Sequence, residues 1–274
     1  MTENFVSLNG EFIERSKASL LIGDLAIQRG YGAFDFFKTI KGRPVFLDDH
    51  LDRLFFSVSE MNLKGDLKKG ALKKQLQALM AKNNLPDSGI RLTVTGGYSP
   101  DGYALSKPNL IITQTPFRYQ PGDFEKGIRL ITYQHQRQLP HIKTIDYLFP
   151  IYLQKFIREK KADDIIYHHQ SEISECPRAN FFVVTQNNEV ITPAKNILRG
   201  VIRKKVLEFS QLVNIREGTI TIKDLENARE AFITSTTKNI LPVLKIDNKL
   251  MGDGKPGEIT TKISRKLMEL IQVG

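Results

Sequence analysis

Apolar and polar positions in the first forty residues suit short strands. Phe5-Val6-Ser7-Leu8 and Glu11-Phe12-Ile13 flank Asn9-Gly10. An Asn-Gly pair between apolar runs predicts a hairpin, because both turn positions need positive φ. The runs 34–40 and 45–47, around Lys41-Gly42-Arg43-Pro44, predict a second hairpin. The period then lengthens. Leu51, Leu54, Phe55 and Val58 recur at helical spacing behind Asp48 and Asp49, carboxylates suited to the positive end of a helix. Leu67, Leu72, Leu76, Leu79 and Met80 mark a second helix that stops near Asn83-Asn84-Leu85-Pro86. Strands at 90–94 and 109–113 follow. Strand, strand, helix, helix, strand, strand reads as a small α+β domain over 1–115.

Residues 116–127 mix Pro, Gly and alternating charge and read as an interdomain linker. Beyond it, 128–274 reads as a larger, strand-rich domain. Strands are expected at 128–133, 164–168, 181–184, 189–192, near 213–216 and at 231–234, with a hairpin around Asp247-Asn248. Helices are expected near 146–161, after Gly200 and over 257–272, and a loop at 136–144. No repeat or low-complexity tract is visible.

Composition narrows the classes. The chain has 274 residues, with 41% apolar and 26% charged, which suits about two globular domains rather than disorder. No run approaches the ~18–20 apolar residues of a membrane span. The N-terminus lacks the basic and apolar regions of a secretory signal. A lone cysteine, Cys176, forms no internal disulfide and fits a reducing cytoplasm. The net charge of +10 raises a basic nucleic-acid-binding protein as one reading. However, the densest cluster, Lys64, Lys68, Lys69, Lys73 and Lys74, lies at helical spacing opposite an apolar stripe and reads as a solvated face. No zinc-finger, RNA-binding or basic-zipper pattern appears.

Five segments carry groups suited to chemistry, and each alone has a plain structural alternative. Lys143 sits between Ile142 and Ile145, apolar neighbours that favour a neutral, nucleophilic amine; the alternative is a surface lysine. Glu175 precedes a turn, and Asn180 enters an apolar strand; the alternatives are an exposed carboxylate and a turn cap. Leu198-Arg199-Gly200-Val201-Ile202 opens a helix, whose first N–H groups suit a phosphate. Thr234-Ser235-Thr236-Thr237 follows a strand, and such hydroxyls suit a phosphate or cap a turn. Arg53 offers a guanidinium fork for a phosphate; the alternative is a helix-surface ion pair with Asp49.

In their order and spacing these segments resemble the class IV aminotransferases, the fold-type IV pyridoxal-phosphate enzymes. That family includes branched-chain aminotransferases, D-amino-acid transaminases and aminodeoxychorismate lyase. The resemblance spans nearly the whole chain and implies a two-domain α+β fold, with a small sandwich domain and a larger barrel-like one. It also implies pyridoxal 5′-phosphate as cofactor, no metal, and a cytoplasmic homodimer acting on amino acids and 2-oxo acids. Lys143 matches the lysine that carries the cofactor, and Tyr147 the tyrosine on its phenolic oxygen. Asp146 stands where Asn is usual. Glu175 matches the carboxylate at the pyridine nitrogen, with Asn180 as support, and Leu198 the residue against the ring. Val201 and Ile202 match the pair whose N–H groups hold the phosphate, although Thr is usual at the second position. Arg53 and Thr236 match the phosphate arginine and hydroxyl.

Substrate choice is less legible. Phe34 matches a pocket aromatic, and Asp35 replaces the usual Glu. Arg29 falls where branched-chain enzymes carry a tyrosine that reaches the neighbouring subunit. Arg91 matches the arginine that branched-chain enzymes use for the distal carboxylate of glutamate. The Arg and His of the familiar D-amino-acid transaminases are here Gly96 and Ser99. Arg29, Arg91 and Arg178 are therefore candidate carboxylate holders, with Thr237 a further substrate-binding candidate. The resemblance implies an aminotransferase using 2-oxoglutarate/glutamate with a branched-chain L- or a D-amino acid. Aminodeoxychorismate lyase and a non-catalytic nucleic-acid-binding protein remain as alternatives.

Overall fold

The computed structural model describes residues 4–120 and 122–273. The chain divides into two compact units. The first runs to Arg118 and takes in Ile142–Asp146; the second comprises Tyr119–His141 and Tyr147 onward. This division differs from a contiguous boundary at one place, and backbone pairing is the reason. Ala33 bridges to Thr144, Lys143 O accepts from Phe34 N, and Gly32 O accepts from Ile145 N. These bonds stitch 142–146 onto a strand more than a hundred residues earlier.

The first unit contains strands β1 (Phe5–Leu8) and β2 (Glu11–Glu14), helix α1 (Leu25–Arg29), β3 (Gly32–Ile40), β4 (Arg43–Pro44), helices α2 (Leu47–Glu60) and α3 (Lys69–Asn83), β5 (Ser88–Thr95) and β6 (Leu110–Pro116). Its sheet has the order β2-β1-β6-β5-β3-β4. Ala33 and Phe37 of β3, Ile90, Leu92 and Val94 of β5, and Ile112 of β6 pack against Leu51, Leu54 and Val58 of α2 and Leu72, Leu76 and Leu79 of α3. Each such large side chain contributes roughly 1.5–3 kcal/mol by leaving water. The same alternation places Phe34, Phe36 and Lys38 on the other face, with Arg91, which pairs with Phe36.

The expected hairpin strand at 45–47 does not form. The paired residues are Arg43 and Pro44, Phe46 takes a left-handed φ of 54°, and Leu47 begins α2. The three apolar residues serve a strand-to-helix corner instead. Asp48 and Asp49 occupy the first turn, as expected. The lysine face of α3 is solvated and partly paired: Lys69 and Lys73 meet Asp48 of α2.

The second unit contains helix α4 (Gly122–Lys126), β7 (Ile128–Gln134), helices α5 (Leu148–Tyr152) and α6 (Gln154–Glu159), then β8 (Asp164–His169), β9 (Glu172–Ile173), β10 (Glu175–Cys176), β11 (Ala179–Val184) and β12 (Val190–Pro193). Helix α7 (Val201–Leu207), β13 (Ile215–Gly218), α8 (Ile222–Asn227), β14 (Glu230–Ser235), β15 (Asn239–Ile246), β16 (Lys249–Leu250) and α9 (Glu258–Val273) complete it. Its sheet runs β13-β12-β11-β14-β15-β7-β8-β9, with β10 beside β11 and β16 beside β15. The single helix expected near 146–161 is two short ones, interrupted at Leu153. Part of the expected linker is helix α4. The strands of this unit run in both senses. Among the described residues no helix is long and apolar enough to cross a membrane.

Candidate active site

In the first unit, the sheet and α2 gather charge around one buried carboxylate. Asp35 points from β3 into the core and has no exposed surface. His50 and Arg53 lie one turn apart on α2, whose inner face covers β3. Arg53 Nε donates to Asp35 Oδ2 at 2.8 Å, and Nη2 donates to Oδ1 at 2.9 Å. His50 Nδ1 lies 2.7 Å from Oδ1. Phe36 N also donates to Oδ1, at 2.7 Å. Burial alone would raise the Asp35 pKa, but the charge of Arg53 and the hydrogen bonds of Arg53 and His50 outweigh it, and the group stays well below the usual carboxylate range. Burial first, then Arg53 and Lys143, lower the His50 pKa against the pull of Asp35. The neutral ring therefore carries its proton on Nδ1, because the carboxylate only accepts. Arg53 thus pairs with a buried partner, Asp35, and keeps only about a tenth of its side chain exposed.

Lys143 belongs to the same unit. Its backbone N donates to Ser57 Oγ of α2 at 3.2 Å, one turn beyond Arg53. Its Nζ lies 4.6 Å from the centre of the Phe34 ring. The Arg91 guanidinium lies over the same ring, at 3.9 Å, and Arg91 Nε reaches Thr93 Oγ1 at 3.4 Å. Phe34, Arg91 and Lys143 are therefore brought together. Arg29 is not part of this group: it is the exposed last residue of α1, and its Nη1 donates to Gln28 O.

In the second unit, Glu175 is 4% exposed and both its oxygens are held. Arg137 Nε donates to Oε1 at 3.1 Å; Leu198 N and Asn180 Nδ2 donate to Oε2 at 2.9 and 3.2 Å. Asn180 Nδ2 also donates to Leu198 O at 2.7 Å. A Cβ on Gly200 would fall 2.0 Å from Asn180 Oδ1, so only glycine lets the start of α7 approach this strand. Val201 and Ile202 are the first two residues of α7, and their side chains are buried. They offer backbone N–H groups, which the first turn of a helix does not use internally. Thr236 and Thr237 lie in the turn after β14, Thr236 half-buried and Thr237 exposed. Tyr147 and Arg178 line a cavity of about 430 Å³ with Asp163 and Asp164. Asp146 is exposed at the end of the 142–146 segment. Arg137 escaped the sequence reading. It lies in an aperiodic loop, and its partner is thirty-eight residues away.

A small sheet-and-helix unit and a larger unit of strands in both senses suit the two-domain fold expected from the sequence. The family pattern described as Amino-transferase class IV matches residues 32–246. The chain is 30% identical to the D-alanine aminotransferase of Bacillus licheniformis, over 97% of this chain and 96% of that one. It superposes on the Escherichia coli branched-chain amino acid aminotransferase with a TM-score of 0.87 at 22% identity, covering 98% and 95% of the two chains. A hypothetical aminotransferase from Mycobacterium tuberculosis, in its PLP-bound form, gives a TM-score of 0.83 at 19% identity, covering 97% and 98%. The chain belongs to the class IV aminotransferases, enzymes that transfer amino groups with pyridoxal 5′-phosphate.

The residues present suit that cofactor. In the first unit the Arg53 guanidinium suits a dianionic phosphate, and in the second the backbone N–H groups at the start of α7 and a turn hydroxyl suit one. A pyridine nitrogen is matched by Glu175, and an aldehyde carbon by the amine of Lys143.

Proposed function

We propose that this aminotransferase moves the amino group of a small amino acid to 2-oxoglutarate. The observation that carries the reading is the placement of Arg91 and Lys143 on the one ring of Phe34. A planar cation suited to a carboxylate lies beside the amine that handles the substrate's proton. The bound cofactor supplies the electron sink for a carbanion at the substrate Cα. Lys143 moves the proton between Cα and the cofactor's C4′. Glu175, held by Arg137, Asn180 and Leu198, keeps a proton at the pyridine nitrogen. By the family resemblance, Arg53, the N–H groups of Val201 and Ile202, and Thr236 would hold the phosphate, Leu198 would lie against the ring, and Tyr147 would bond the phenolic oxygen.

For the donor we favour a D-amino acid such as D-alanine. A curated relative of that name matches nearly end to end at 30% identity. The position of Arg91 supports the second reading, a branched-chain L-amino acid. A panel of D- and L-amino acids with 2-oxoglutarate separates the two. Turnover of D-alanine with none of L-leucine or L-valine supports the first, and the reverse result supports the second. Turnover of neither would reject both. We further propose a cytoplasmic homodimer, with Arg29 and Arg178 as secondary carboxylate contacts and Thr237 at the substrate. Light scattering that shows an active monomer would reject the dimer.

A further inference from the structure

The two faces of the Arg53 fork are not equivalent. A guanidinium has a side-on edge, Nε–H with one Nη–H, and an end-on edge made by both Nη groups. In Arg53 the side-on edge is taken by Asp35, at 2.8 and 2.9 Å. Asp35 is itself fixed from two further directions, by Phe36 N and by His50 Nδ1. It is fully buried, whereas the Arg53 side chain keeps about a tenth of its surface open. The end-on edge faces away from the carboxylate, because the two edges of a planar fork point in different directions. Ser57, one turn further along α2, receives the backbone N–H of Lys143. The helix that carries Arg53 therefore also seats the segment bearing the amine.

From this geometry we infer that Asp35 is a positioning residue for the cofactor phosphate: with His50 it clamps Arg53 side-on, so that the end-on edge makes a two-point contact with the phosphate. The inference rests on the reading of Arg53 as the phosphate arginine and adds a residue that never touches the phosphate. A guanidinium on a flexible stem must lose rotamer freedom when it binds. The clamp removes that loss beforehand, which is how preorganisation raises affinity. A lysine at position 53 would have one point charge to share between Asp35 and the phosphate.

The test compares pyridoxal 5′-phosphate with pyridoxal, the same ring without the phosphate, by titrating the full chain with each. Asp35→Asn is expected to cut the preference for the phosphorylated form by about tenfold or more. Pyridoxal affinity should stay within about threefold. Asp35→Glu, which restores the charge, is expected to recover most of the preference, which a general loosening of the core would not show. An unchanged preference in Asp35→Asn overturns the inference. Arg53→Met separates this failure from that of the underlying reading: if it too leaves the preference unchanged, Arg53 does not hold the phosphate at all. Should Asp35→Asn fail to fold, Arg53→Lys decides. A loss as large as that in Arg53→Met supports the two-edge clamp, and retention of most of the preference overturns it.

Discussion

Asp35 in the first unit and Asp164 in the second both sit on strands with almost no exposed surface, 0% and 5%. Their ionisation nevertheless moves in opposite directions. Asp35 meets a guanidinium edge-on, a histidine N–H and a backbone N–H. These overcome the penalty of burial and hold its pKa down. Asp164 accepts from its own neighbour, Ile165 N, while its Oδ2 is buried with no hydrogen-bond partner. Burial therefore dominates, the more distant charges of Lys238 and Arg178 do not offset it, and its pKa is raised. Depth does not decide whether a buried acid is charged; a partner within hydrogen-bond reach does.

The sharpest use of that difference concerns Lys143, whose charge is among those that lower the His50 pKa. Lys143→Ala is expected to reduce amino transfer by at least about 10³-fold, toward the upper range for a positioned acid–base group. The folded structure should persist, because the variant removes a cation and leaves the Asp35–Arg53 pair intact. Steady-state assay checks the first expectation and thermal melting the second. Turnover within tenfold of the parent would place the chemistry on another residue.

Next comes stability. Removing one partner of a buried ion pair costs about 3–5 kcal/mol, because it leaves the other charge uncompensated. Asp35→Asn is expected to fall in that range by urea unfolding. The pH dependence has a defined sign. The folded pKa of Asp35 is depressed, so its contribution is present above the ordinary value of 3.8 and is lost as pH falls below it. His50 is also depressed, so its contribution is full above 6.5 and declines on acidification from there. A loss under ~1 kcal/mol in Asp35→Asn would erase the distinction between the two aspartates.

The parts of this cluster were unequally legible in the chain. Helix α2 was readable because Leu51, Leu54 and Val58 keep the helical period behind two acidic residues. The Asp35–Arg53 pairing was not, since it joins a strand to a helix eighteen residues later and local patterning does not encode such partners. Asn180 was read as support for Glu175, and it does bond both Glu175 and Leu198. Three apolar residues at 45–47 imitated a strand, where a left-handed Phe46 turns the chain into α2. Helix α8 was missed although Thr221 and Asp224 form a capping box that the sequence displays.

Arg91 tests whether an exposed cation behaves unlike the buried Arg53. Its guanidinium lies on Phe34, but the residue is exposed, so Arg91→Ile should change stability by less than about 0.5 kcal/mol. Its loss should still weaken 2-oxoglutarate use by ~10- to 150-fold in kcat/KM, the equivalent of about 1.5–3 kcal/mol for a charge-assisted contact. A monocarboxylate acceptor should suffer much less if Arg91 holds the distal group. Equal losses with both acceptors would assign it the α-carboxylate, and no loss with either would make it structural.

The smallest expected effect is on Asp164. A raised folded pKa means that the folded state binds the proton more tightly than the unfolded chain. The stability tied to that proton is present below the ordinary value of 3.8 and is lost as pH rises through the folded pKa. Ionising Asp164 therefore costs the folded state stability, a cost that the exposed Arg178 relieves only in part. Asp164→Asn keeps the size and removes the charge, so it should leave stability at pH 7 unchanged or raise it by up to ~1 kcal/mol. The gain should shrink as pH falls below 3.8, where the wild-type group becomes protonated in both states. Urea unfolding of the two proteins at pH 7 and below 3.8 measures this difference. Asp35→Asn should show the opposite trend, with its loss largest at neutral pH and smaller in acid. If Asp164→Asn instead loses more than ~1 kcal/mol at pH 7, Asp164 is ionised and compensated like Asp35, and the two buried carboxylates obey one rule.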